Sequence, residues 1–273
     1  MSAPRVHWRE AALDGALIGL FLVSACAFGT LLEAEASPVR SGVPDPLVRR
    51  ALMGAAMGLT AVALIYSPWG RRSGAQMNPA ITLAFTRLGR MPRRDAPAYV
   101  IAQLIGAALG VALMGLALGP PLALPPVRFV ETVPGPLGAW PAFGAELLLS
   151  ATLMLVVLET STRERLAPWT GAIAGALVAT WIFVEAPISG MSLNPARTLG
   201  SALAAGRLEH LWIYSVAPPL GMWLAAEIHA RRACASAPDA CAKLCHGHDR
   251  FCHFCAAREP SRATHHSQPA TAE

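Results

Sequence analysis

The sequence predicts an all-α membrane protein in which six transmembrane helices and two re-entrant half-helices form an inverted 3+3 repeat. Three observations carry that expectation. The apolar residues are gathered into six long runs, a twelve-residue segment built around Asn-Pro-Ala occurs twice, and the basic residues collect on one side of the resulting topology.

The runs come first. Of 273 residues, 54% are hydrophobic and only 14% charged, where a soluble domain carries roughly a quarter. Apolar stretches lie near 11–32, 48–66, 97–118, 142–158, 169–184 and 208–228. Each is about 17–24 residues, enough to cross about 30 Å of hydrocarbon at 1.5 Å per residue. A soluble helical protein would show a polar stripe on each helix, and Ala102 to Leu118 and Leu147 to Leu158 carry none. The first run is too long for a signal peptide, and Thr30-Leu31-Leu32-Glu33 is a poor cleavage site, so it reads as a retained first helix.

With the amino terminus inside, the inner segments and the tail hold 16 of the 22 Lys and Arg, including Arg71, Arg72, Arg87, Arg90, Arg93 and Arg94. The positive-inside rule then places both termini in the cytoplasm. The net charge of +5 is largely this bias, so no nucleic-acid partner is expected. The lack of eukaryotic-type targeting signals points to a bacterial inner membrane.

The repeat explains the rest of the organisation. Ser73-Gly74-Ala75-Gln76-Met77-Asn78-Pro79-Ala80-Ile81-Thr82-Leu83-Ala84 recurs as Ser189-Gly190-Met191-Ser192-Leu193-Asn194-Pro195-Ala196-Arg197-Thr198-Leu199-Gly200. Each half, about 8–118 and 142–231, opens with a helix bearing an early acidic residue, Asp14 or Glu146. A Gly/Ala-rich second helix, the Asn-Pro-Ala segment and a third helix follow. The prolines between 119 and 141 preclude a continuing helix there. Three spans is an odd number, so the second half enters from the opposite face.

Asn favours the N-cap and Pro the first helical position, so each box starts a helix. Ile81 to Phe85 and Leu199 to Ala205 are too short to span, and they read as half-helices dipping in from opposite faces. Non-helical backbone at membrane depth is tolerated where it lines a cavity. Gly74 to Met77 and Gly190 to Leu193 are therefore expected to line a pore with their carbonyls.

The paired Asn78-Pro79-Ala80 and Asn194-Pro195-Ala196-Arg197 resemble the signature boxes of the aquaporin, or major intrinsic protein, family. Gln103, the Gly-Ser-Ala of 200–202, Trp212 and Pro218 agree with it. The resemblance covers about 8–231 and implies a passive channel for water, with one pore per chain in a homotetramer among membrane lipids. It also implies roles for individual residues. Asn78 and Asn194 present amides to water at the midplane, where the positive ends of the two half-helices oppose cations. Arg197 stands at the outer constriction, in line with the cost of a charge at membrane depth. Asp14, one methylene shorter than the usual Glu, and Glu146 hold the loop backbone.

On the same resemblance the filter consists of Arg197, Met191, Ile182 and, on the second helix, Met57 or Gly58, depending on an insertion near Trp69. Ile182 replaces the His of strict water channels, which makes the filter more apolar. Glycerol facilitators carry Asp after the pore Arg, where this chain has Thr198, while Tyr214 leans towards the water channels. Water ranks first and small neutral solutes second, with a glycerol, urea or ammonia facilitator as the alternative.

After Arg231-Arg232 the chemistry changes. Cys241, Cys245, His246, His248, Cys252 and Cys255 lie close together in a tail spanning 232–273. In a reducing cytoplasm these thiols are not expected to form disulfides. They offer enough soft ligands for zinc or another soft metal in tetrahedral geometry, and a metal-responsive membrane protein is the outside reading. Conduction itself requires no cofactor. No nucleophile–base constellation or phosphate loop points to an enzyme.

Overall fold

The computed structural model describes residues 6–232 and Leu244, and among these every regular element is helical. Six long helices coincide with the six apolar runs: α1 (Trp8–Glu33), α3 (Pro46–Tyr66), α6 (Ala96–Leu118), α8 (Ala139–Ser161), α9 (Thr170–Ser189) and α11 (Leu211–Arg232). Five of them are long and apolar enough to cross a membrane. The sixth, α11, has 22 residues but contains Pro218 and Pro219 and ends on charged residues. Short helices α2 (Pro38–Gly42), α4 (Pro68–Ser73) and α7 (Pro120–Ala123) lie in the connections, and α5 (Pro79–Arg87) and α10 (Pro195–Ala205) are the two half-helices.

Local chemistry sets these boundaries. The Asp45 carboxylate accepts from Leu47 N–H at 2.8 Å, ahead of Pro46 in the first turn of α3, which satisfies a donor the helix cannot. Ser67, held extended by the following Pro68, ends α3 and caps α4 by accepting from Gly70 N–H at 3.0 Å. The equivalent stretch of the second half does not break, because α9 runs on through Pro187 to Gly190.

The helices pair as the inverted repeat requires. α1 lies along α6, α8 along α11, and α3 crosses α9 between the halves. Each half-helix packs on the third helix of the other half, α5 on α11 and α10 on α6. The polarity is turned inside out. Asp14, Gln103 and Glu146 are fully buried, while Leu59, Leu109, Leu113 and Leu116 are exposed, the distribution expected when hydrocarbon is the solvent. His7 bonds Asp95 at 2.8 Å and Arg90 bonds His229 at 3.1 Å. The start of α1, the α5–α6 turn and the end of α11 therefore share one face.

The α1–α6 seam depends on close backbone approach. A Cβ at Gly106 would stand 1.9 Å from the Gly15 carbonyl oxygen. Gly106→Val is expected to destabilise the protein by about 3 kcal/mol, since overpacking against backbone cannot relax by rotamer change. Gly144, also in a helix, has open space around it, so Gly144→Val is the control. Thermal unfolding in detergent should separate the two.

Candidate functional site

The two repeated loops meet at the centre of the bundle, and their backbone is the first thing to explain. Gly74, Ala75 and Met77 have φ of 97°, 52° and 49°, and Gly190, Met191 and Leu193 have 80°, 50° and 56°. Left-handed conformations at four non-glycine residues each cost about 1–3 kcal/mol and persist only when the surroundings enforce them. The two carboxylates do that. Asp14 accepts from Ser73 Oγ at 3.0 Å, Gln76 N–H at 2.9 Å, Met77 N–H at 2.8 Å and Gln103 Nε2 at 2.7 Å. Glu146 accepts from Ser189 Oγ, Ser192 N–H and Leu193 N–H, all at 2.7 Å.

Asp14 thus reaches its loop despite its shorter side chain. The close α1–α6 seam brings its helix in, and Gln103 supplies a further donor. In the second half the position four residues after the matching tyrosine is Pro218, which has no donor to give. Those tyrosines, Tyr99 and Tyr214, donate to the carbonyls of Ser73, at 2.8 Å, and of Ser189. Tyr214 already enters the family comparison above, but the pairing of the two hydroxyls shows in one dimension only as a matching register.

The boxes behave as helix starts. Asn78 Oδ1 accepts from Ala80 N–H at 2.9 Å, and Asn194 Oδ1 from Ala196 N–H at 3.0 Å, with Pro79 and Pro195 in the first turn. The amide nitrogens cross over. Asn78 Nδ2 donates to Leu193 O at 2.8 Å and Asn194 Nδ2 to Met77 O at 2.7 Å. Each loop therefore closes on the other, and one N–H of each amide is left for the cavity, because an amide nitrogen carries two donors.

A cavity of about 500 Å³ runs past both boxes. Its lining includes Asn78, Asn194, Arg197, Met191, Ile182 and Met57, so the sequence-predicted pore and filter residues face a common space. The two candidates at the second helix are placed differently. Met57 lines the cavity, whereas Gly58 lies against Gly175, where a Cβ would meet its carbonyl oxygen at 2.6 Å. Of the eight loop residues expected at the pore, Gln76, Met77 and Gly190 to Leu193 line it and Gly74 and Ala75 do not.

The connector between the halves contributes what sequence reasoning missed. Arg197 Nη1 donates to Val130 O at 2.8 Å. Thr132 Oγ1 bonds Thr198 Oγ1 at 2.8 Å, and Thr198 also bonds Ser192 Oγ. Thr198 is buried and its hydroxyl braces the second loop instead of entering the cavity. A backbone carbonyl such as that of Val130 leaves no mark in a sequence. Cys241, Cys245, His246, His248, Cys252 and Cys255 lie outside the described residues.

Comparison with known proteins agrees with this geometry. The family model described as Major intrinsic protein matches residues 11–229. Aquaporin NIP1-1 of Arabidopsis thaliana is 39% identical over 167 residues, 60% of this chain and 56% of that protein. Aquaporin NIP1-3 of Oryza sativa subsp. japonica is 37% identical over 165 residues, again 60% and 56%. Probable aquaporin NIP7-1 of Arabidopsis thaliana is 31% identical over 211 residues, 75% of this chain and 70% of that one. The chain thus matches little more than half the length of the first two relatives. The X-ray structure of the aquaglyceroporin from Plasmodium falciparum shares the fold, with a TM-score of 0.64 and 22% identity over 82% of this chain and 96% of that one. With its two crossed Asn-Pro-Ala loops and a family match over residues 11–229, the chain is an integral, multi-pass membrane protein that belongs to the major intrinsic protein family.

Proposed function

We propose that this protein is a passive channel that conducts water first and small neutral solutes second. The observation that carries the reading is one cavity passing both crossed boxes, with apolar walls and a few polar groups, Asn78, Asn194 and Arg197 among them. Such a path offers donors to a neutral molecule in single file, while the converging half-helix N-termini and the guanidinium repel cations. On this reading the protein acts as a channel and not as an enzyme, which the family match supports. The named aquaporins among its relatives support the same reading.

On this reading Met57, Ile182, Met191 and Arg197 form the filter, and the arginine distribution sets both termini in the cytoplasm. A homotetramer among lipids follows from the family, each chain being complete as a pore. The bacterial inner membrane expected from the sequence has no support from these relatives, which are plant proteins.

Stopped-flow light scattering of reconstituted vesicles tests the proposal, with water, glycerol, urea and ammonia compared side by side. Water flow no faster than in empty vesicles would refute it. Within the same assay, Ile182→His is expected to lower the glycerol-to-water ratio about tenfold or more while leaving water within a few-fold. A polar side chain narrows the cavity and competes for water's hydrogen bonds, and a mismatch at a polar contact costs about 1–3 kcal/mol. An unchanged ratio would mean that this residue does not discriminate.

A further inference from the structure

Leu244, beyond α11, lines the cavity. It is 4% exposed and shares that cavity with Gln76, Met77, Ile81, Leu153 and Val157. Its N–H donates to the Gly74 carbonyl at 3.1 Å, at the entry of the first loop. Arg72, at the end of α4 just before that loop, bonds Glu10 in the first turn of α1 at 2.9 Å, so the loop is entered from the face that holds the start of α1 and the end of α11.

The inverted repeat gives this placement a counterpart. After the third helix of the first half, the connector folds back over the second loop and brings the Val130 carbonyl to Arg197. Leu244, beyond α11, stands at the equivalent place for the second half. Val130 follows Leu118, the end of α6, by twelve positions, and Leu244 follows Arg232, the end of α11, by twelve. Both residues line the cavity, Val130 beside the second loop and Leu244 beside the first. The two ends differ in what they offer. At the second loop Val130 presents a carbonyl that orients a pore arginine, whereas Leu244 spends its N–H on the loop and leaves an isobutyl group in the path. An apolar side chain in a narrow mouth obstructs water by dewetting it.

We propose that Leu244 is an intrinsic stopper, docked in the apolar mouth at the first loop and holding the channel in a low-conductance state. The inference rests on the channel reading above. Burying a leucine biases a two-state equilibrium by about tenfold or more, so removing the side chain should raise conduction by about that factor. The test uses the full chain and its Leu244→Ala and Leu244→Asp variants, reconstituted and assayed for water flow. Both variants should conduct about tenfold faster than the parent, and Leu244→Phe should stay slow. Trypsin gives a second readout that does not depend on flow. The Lys243–Leu244 bond contains the N–H given to Gly74, so it should be cut slowly in the parent and quickly in Leu244→Asp. Equal water flow in parent, Leu244→Ala and Leu244→Asp, all above empty vesicles, would overturn the stopper and leave the channel intact. No flow from any variant would overturn both.

Discussion

Glu146→Gln is expected to remove most water flow, by about tenfold or more, and to lower the melting temperature. The carboxylate accepts three hydrogen bonds, from Ser189 Oγ and from the N–H groups of Ser192 and Leu193. An amide of the same shape has one accepting oxygen, and its NH2 must face a donor that has nowhere else to turn. An orphaned buried N–H costs about 1–3 kcal/mol. The loop it holds is already strained, with Met191 and Leu193 at positive φ. A loss of about 2 kcal/mol, set against about 1.4 kcal/mol per tenfold in population, is enough to let the loop leave its conducting shape. Asp14→Asn should act in the same direction, since it too leaves one loop N–H without its acceptor. Stopped-flow permeability and thermal unfolding, measured together, check the expectation. A Glu146→Gln protein that conducts and melts like the parent would show that hydrogen bonding to the carboxylate does not hold the loop.

Arg197→Val should act differently, by changing what passes and leaving the fold intact. Arg197 lines the cavity, and its anchor to Val130 O is a single hydrogen bond at 2.8 Å. Valine removes the charge and several heavy atoms from the wall of a cavity that Ile182, Met191 and Met57 also line. The electrostatic barrier to cations falls, because one unit charge at about 4 Å is worth about 4 kcal/mol at an effective dielectric of 20. Water flow is expected to persist within a few-fold, while glycerol uptake and proton leak rise by about tenfold or more. The Val130 carbonyl loses a partner but faces the cavity, where water replaces it. Vesicles loaded with a pH dye and assayed in parallel for glycerol supply the measurement. A folded mutant with the parent's proton leak and solute profile would show that the arginine does not guard the pore.

Much of this molecule was legible in one dimension because its constraints are local or repeated. The length of an apolar run bounds a span, and the run positions anticipated all six long helices. Asn followed by Pro specifies a cap and a first turn wherever it stands, and two copies in halves of odd span number require opposed half-helices. The acidic residues Asp14 and Glu146 were visible as a matching pair, because an isolated buried charge needs a purpose.

Other features had to await the tertiary structure. The choice between Met57 and Gly58 turned on an insertion near Trp69 that shifts helical register. Only the apposition of Gly58 with Gly175 reveals which side of α3 meets the cavity. Thr198, which stands where glycerol facilitators carry Asp, braces Ser192 and Thr132. The crossed bonds from Asn78 to Leu193 and from Asn194 to Met77, the Val130 carbonyl on Arg197 and Leu244 on Gly74 all involve main-chain atoms. Every residue type carries those atoms alike, so composition and spacing cannot announce them. By itself the sequence determined the helices, the inverted repeat and residues that come to line one cavity. The fold decided which backbone groups frame that cavity, because hydrogen bonds between distant main-chain atoms exist only once the chain has brought them together.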